Sequence, residues 1–424
     1  MLDCCSRVVR GEARPLRHVH DVDPCKANAA QVVPDPPRRP RRGGHRLAAG
    51  CGDDAPPDGE TTSGAGAAGG GGEGGGGAGG AGGGTGDACA DLEAALSLAL
   101  DESRLEANSP GAVLAVETPR CGLWVGASGE STTADPMRPE HVFRIGSVTK
   151  TYVSAALLAL AHEGALGPDD PLSTWVPSFP DGDGITVRQV LNHTSGIYDY
   201  MDLEFIEAAL SNPGQEWTPE ELVDGVSNDA PYFPPGEGWH YSNTNYILAG
   251  MIVEAASGKD VAEVIRERFL EPLSLTSTAM DGEEPIAGDL AHGYTTGMVD
   301  ATYSLHPSVT WAAGAMVASA GDVARWAGAL YGGAALDPAS LSEMLADPAP
   351  TGRGGVSYGL GVIVLMPPVA PVEMVGHAGG LPGYVTLMYY LPEQQASVVA
   401  IVNADASDPA LVLGPALDIV LAAE

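Results

Sequence analysis

The stretch FRIGSVTKTY, residues 143–152, carries one of only three lysines in a chain of 424 residues. The others are Lys26 and Lys259. Lys150 follows Ser147 by three positions and opens an apolar segment, TKTYVSAALLALAHEG (149–164), that has helical spacing and ends at Gly164, a residue suited to the left-handed turn after a helix. Residues three apart share a helix face. At the start of a helix, free backbone N–H groups and the positive end of the dipole favour an anion forming beside the serine. A serine is a poor nucleophile until a base takes its proton, and a lysine is such a base once burial disfavours its ammonium form. Alone, Ser-x-x-Lys is an unspecific pattern, so the rest of the chain decides its meaning.

Outward from this segment the texture changes several times. Toward the N-terminus, DLEAALSLALDESRLEA (91–107) has helical periodicity, and GAVLAVETP and CGLWVGASG read as two strands around a turn. Residues 165–280 are helices and Pro/Gly loops. SAGDVARWAGAL (319–330) reads as a helix capped by Ser319. YGLGVIVLM, VEMVGHA, YVTLMYYL and SVVAIVNA then read as strands, before a last apolar helix near 409–423. Strands at both ends with helices between them predict an α/β (α+β) fold. The expected sheet is mostly antiparallel, built from N- and C-terminal strands and flanked by helices, with a helical insert at about 165–280. The expected units are a leader (1–50), a tether (51–86) and one domain (87–424).

The first 86 residues lack apolar periodicity. VVPDPPRRPRRGGHR precedes the solvated run GAGAAGGGGEGGGGAGGAGGGTG. Residues 1–50 carry ten Lys and Arg against five Asp and Glu, whereas the whole chain has a net charge of −34 and a pI near 4.4. A polyanion repels nucleic acid, so nucleic acid is excluded as a partner. No run of 18 apolar residues marks a membrane span. The Arg/Pro bias reads as a disordered or mis-assigned leader.

Two further motifs follow Ser147 and Lys150 in order. Tyr241-Ser242-Asn243 lies between a Pro-Gly loop and a helix, and His377-Ala378-Gly379-Gly380 follows a strand pattern. Together they resemble the serine β-lactamase and penicillin-binding-protein superfamily, most of all soluble D-alanyl-D-alanine carboxypeptidases, class C β-lactamases and esterases of that type. ITVRQVLNHTSGIYDY (185–200) and WAAGAMVASAGDVARW (311–326) extend the resemblance, which covers about residues 91–420.

The resemblance implies that Ser147 forms an acyl-enzyme, with Lys150 and Tyr241 handling its proton. Which of the two is the acylation base stays open. It implies that Asn243 holds the acyl side of the substrate and that His377 faces the pocket as donor or cation. Gly379 and Gly380 belong to the substrate edge, with the N–H groups of Ser147 and Gly380 forming an oxyanion hole. No cofactor and no metal are expected. LAAGC (47–51) resembles a lipoprotein cleavage site, with Cys51 as the lipid-carrying residue, although no apolar signal segment precedes it. The expectation is an exported monomer, either held at the envelope by a lipid on Cys51 or secreted, that acts on a small ester, peptide or β-lactam; the alternative is a non-catalytic penicillin-binding or envelope sensor protein.

Three readings refine this. GVSYG (355–359) matches a nucleophile-elbow pattern, but a strand pattern rather than a helix follows Ser357, so it reads as a turn. His193 reads as structural. Cys89 and Cys121 are the two cysteines inside the domain. A 17-residue helix of about 25 Å and a returning strand of about 30 Å bring them together, which predicts a disulfide. For the substrate, Ala378 lacks the hydroxyl, and GLGVIVLM the arginine, with which relatives hold a carboxylate. Esters are therefore expected to outrun acyl-D-Ala-D-Ala peptides, with peptide cleavage rising as His377 protonates.

Overall fold

The computed structural model describes residues 86–423. The leader, the tether up to residue 85 and Cys51 lie outside the described residues. The first helix, Gly86–Glu106, buries Leu92, Leu96 and Leu100, one face at a four-residue spacing. A hairpin follows, Gly111–Thr118 with Gly122–Gly129, and Gly122 takes the positive φ that the turn requires. Cys121, in that turn, is bonded to Cys89 of the helix, with Cα atoms 5.5 Å apart.

The main sheet has eight strands, and every pairing in it is antiparallel. Its order runs Gly122–Gly129, Gly111–Thr118, Ala396–Val402, Tyr384–Leu391, Met374–Leu381, Ile363–Leu365, Val356–Tyr358, Ala349–Pro350. The N-terminal strand thus pairs with the last one, Val113 opposite Ile401. Successive side chains point to opposite faces. Leu114, Val116, Leu387, Tyr389, Val398 and Ala400 pack under the first helix and the last, Ala410–Ala422. Val113, Ala115, Met388, Tyr390, Val399 and Ile401 pack on the other face against the remaining helices. This is the architecture that the strand and helix patterns indicate, and each Val, Leu, Ile or Met side chain among them contributes about 1.5–3 kcal/mol on burial.

The structure departs from the sequence reading in two strands. YGLGVIVLM is not one strand: Val356–Tyr358 and Ile363–Leu365 pair with each other around a corner at Gly359–Val362, where Gly361 has φ +79°. The strand VEMVGHA runs on through the glycines to Leu381. Its short neighbour pairs only with Met374–Gly376, so among the described residues His377–Leu381 has no strand partner on that side.

That edge meets the segment that carries Ser147. Val142–Arg144 pairs with Met316–Ser319, which also pairs with Ala279–Met280, forming a second small sheet. The chain then turns at Gly146–Val148 into the helix Thr149–His162. The insert supplies Val187–Leu191, Leu203–Ser211, Pro219–Asp224 and Thr244–Ser257, and Thr244–Ser257 packs beside the lysine helix. No helix among the described residues is long and apolar enough to cross a membrane.

Candidate active site

Hydroxyls and glycines shape the Ser147 turn. Thr149 Oγ1 donates to the Gly146 carbonyl at 2.7 Å and accepts from the Met316 N–H at 3.1 Å. Neither the turn nor the following helix carries a side-chain cap, so no side chain competes there for the first N–H groups. Gly146 has φ +53°, and a Cβ there would stand 2.7 Å from the Gly380 nitrogen. A Cβ on Gly379 would lie 1.9 Å from the Ile145 carbonyl oxygen and 3.2 Å from the Ser147 nitrogen. Only glycines allow this approach, which brings the Ser147 and Gly380 backbone segments close together beside the Ser147 side chain. Two N–H groups so placed suit an oxyanion.

Lys150 is fully buried, and its Nζ donates to Ser147 Oγ at 3.0 Å, Asn243 Oδ1 at 2.9 Å and the Ala313 carbonyl at 2.6 Å. Three acceptors match the three protons of an ammonium. Burial nevertheless draws its pKa down to about 7, and the nearby Asp199 carboxylate opposes the shift. When one proton leaves, Asn243 and Ala313 can keep the other two, and the lone pair is left for Ser147. The rings of Tyr241 and Tyr246 flank the nitrogen, with centroids at 5.1 and 5.2 Å.

Tyr241 and Asn243 stand just before the Thr244–Ser257 helix. Asn243 bridges Lys150 to Asp199, a half-buried carboxylate in the loop after Val187–Leu191. His193 supports this region from beneath. Its Nδ1 accepts from the Ser242 N–H at 3.3 Å and the Asn245 amide at 3.1 Å, and its ring lies 4.3 Å from that of Tyr241. Its pKa is held well below the ordinary histidine value, first by burial and then by Lys150. The structural reading of His193 agrees with this geometry.

His377 requires a correction. Both ring nitrogens are engaged, Nδ1 with the Ala378 carbonyl at 2.6 Å and Nε2 with the Tyr358 hydroxyl at 2.8 Å. A carbonyl only accepts, so Nδ1 carries the proton and Nε2 accepts from Tyr358. Burial, helped by Lys150, lowers its pKa to about 3. The ring is neutral and its one N–H is spent on the Ala378 carbonyl, so it is not the pocket-facing cation or free donor that the motif suggests. Ser357 lies inside the strand Val356–Tyr358 rather than in the turn read from the sequence, and the next element is a strand, Ile363–Leu365, not the helix of a nucleophile elbow.

Three partners were missed in the sequence: Asp199, Tyr358 and the Ala313 carbonyl. Asp199 and Ala313 lie within the segments IYDY and WAAGAM, and Tyr358 within GVSYG. An acidic residue between two tyrosines was the only local signal for Asp199.

The chain matches the Beta-lactamase family over residues 99–422 and belongs to it. It is similar to penicillin-binding protein 4* of Bacillus subtilis (strain 168), 29% identical over 290 residues, 65% of this chain and 63% of that protein. Esterase EstB of Burkholderia gladioli is 30% identical over 211 residues, 46% of this chain and 53% of the esterase. The matches thus span less than two thirds of the length of these curated relatives. Among solved structures, a D-stereospecific amidohydrolase from Streptomyces sp. superposes with a TM-score of 0.68 at 32% identity, over 74% of this chain and 95% of that one.

Proposed function

We propose that the protein is a serine acyl-hydrolase that cleaves small neutral esters or amides through an acyl-Ser147 intermediate. The carrying observation is Lys150, fully buried, 3.0 Å from Ser147 Oγ and with a pKa drawn to about 7. At neutral pH about half of it is free amine. Ser147 Oγ bonds to the substrate carbonyl carbon as its proton passes to the amine. The oxyanion forms against the N–H groups of Ser147 and Gly380. The C–O or C–N bond then breaks, and the departing group receives a proton through Lys150 and Tyr241. Water reverses the sequence and releases the acid.

Substrate charge follows from the same site. His377 is neutral, Ala378 has no hydroxyl, and the strand Ile363–Leu365 carries no arginine. A terminal carboxylate buried there without a partner costs several kcal/mol. The likeness to an esterase and to an amidohydrolase supports cleavage of esters or amides. The Cys89–Cys121 disulfide supports an oxidising compartment outside the cytoplasmic membrane, where Cys51 would be the anchoring residue.

Intact-mass analysis after incubation with a short-chain nitrophenyl ester, a fluorophosphonate and penicillin tests the assignment. A single adduct is expected on Ser147, absent in Ser147→Ala and retained in Ser357→Ala. Adduct formation that survives Ser147→Ala would overturn the mechanism. A stable penicillin adduct without ester turnover would replace it with a binding protein.

A further inference from the structure

Asn243 has a charged neighbour on each side, the buried Lys150 and the half-buried Asp199. Its Oδ1 accepts from Lys150 Nζ at 2.9 Å, and its Nδ2 donates to Asp199 Oδ1 at 3.3 Å and Oδ2 at 3.1 Å. The same carboxylate accepts the backbone N–H groups of Asn243 at 2.9 Å and Met201 at 3.2 Å. Turning an amide over exchanges its donor for its acceptor with little change of shape. Here one orientation alone is compatible. An ammonium has no lone pair and a carboxylate has no proton, so the amide oxygen must face Lys150 and the NH₂ must face Asp199.

We propose that Asp199 is a positioning residue for acylation: through Asn243 it holds an acceptor on Lys150, so that the amine's lone pair is directed at Ser147. The proposal rests on the acyl-Ser147 reading. A neutral lysine has two N–H groups and one lone pair. The Ala313 carbonyl takes one N–H at 2.6 Å and Asn243 Oδ1 takes the other. Were the amide reversed, its NH₂ would compete with the Ser147 hydroxyl for the lone pair, and the serine would lose its base.

Asp199 also acts by charge. Lys150 is faced by Ser147 on its own segment, by His193 and Asp199 from the loop before Leu203, by the Tyr241 and Tyr246 rings, by the Ala313 carbonyl and by His377. Both histidines are held neutral by burial, which leaves Asp199 as the charged group of this set. Burial raises the Asp199 pKa, and the N–H donors of Met201 and Asn243 oppose that rise. Its negative charge favours the ammonium form of Lys150, so removing it moves Lys150 further down.

The test is the rate of Ser147 labelling by a fluorophosphonate from pH 5 to 9 in the parent and in Asp199→Asn, with thermal melts on both. The plateau rate is expected to fall about 100-fold, the contribution of a directed base, and the acid limb to move to lower pH. A purely structural carboxylate would lower the melting temperature and the active fraction without moving the limb, and that result overturns the proposal. So does an unchanged rate. Should Asp199→Asn fail to fold, Asp199→Glu retains the charge at a displaced position. It should slow labelling with the limb kept near that of the parent, and undiminished labelling would refute the proposal. A parent enzyme that is never labelled condemns the acyl-Ser147 reading itself, an outcome distinct from a labelled parent with an indifferent Asp199 variant.

Discussion

The ionisation of Lys150 makes the acid side of the activity profile quantitative. The perturbation is pH alone. With a pKa of about 7, set by full burial against Asp199, the amine fraction is about half at pH 7. It falls to about 3% at pH 5.5, one tenfold step per pH unit. If the free amine is the base, acylation at pH 5.5 should run about thirtyfold below its plateau, with a single-proton limb centred near pH 7. The assay is the pre-steady-state burst of nitrophenol from an uncharged nitrophenyl ester, read by stopped flow between pH 5 and 9. His377, with a pKa of about 3, does not titrate in this range and should add no second limb. Lys150→Arg supplies a cation that does not give up its proton, and it should lose the burst by about 100-fold or more at every pH. A burst that is flat from pH 5 to 8, or a limb near the ordinary lysine value, would refute the base role and leave Tyr241 to carry it. The same shift has a sign for stability. The folded state holds fewer protons on Lys150 than the unfolded chain between pH 7 and about 10.5, so this group makes unfolding harder as pH rises through that window.

Two further outcomes follow from the site and the disulfide. The ratio of kcat/KM for the ester to that for a diacyl-Lys-D-Ala-D-Ala peptide should exceed one and stay constant from pH 5 to 8, because no group at His377 becomes charged there. Peptide cleavage that rises steeply toward pH 5, or that dominates at pH 8, would reveal an unrecognised carboxylate-binding group. Replacing Cys89 and Cys121 by serine frees a 32-residue separation and should cost about 3–4 kcal/mol through the unfolded chain. A thermal melt of the double variant that coincides with the oxidised parent would refute that contribution.

What the sequence alone determined was local or periodic. Ser147 and Lys150 are three residues apart, and one helical turn suffices to place them together. Alternating apolar residues located the strands, and the helix patterns located the covering layers, because each side chain's direction follows from its neighbours along the chain. The disulfide was legible because one helix and one returning strand have known lengths. What only the tertiary structure decided was the company kept across long separations. Ala313 lies 163 residues beyond Lys150, and Asp199 lies 44 before Asn243. No spacing rule joins them, since their meeting depends on how the insert packs on the sheet. His377 marks the boundary. Its motif placed it beside the site, but whether the ring offered a charge depended on Tyr358, 19 residues earlier, and on burial that only the packed fold could supply. The ionisation of Lys150 likewise follows from the water removed around it, and that is a property of the assembled layers rather than of any local run of residues.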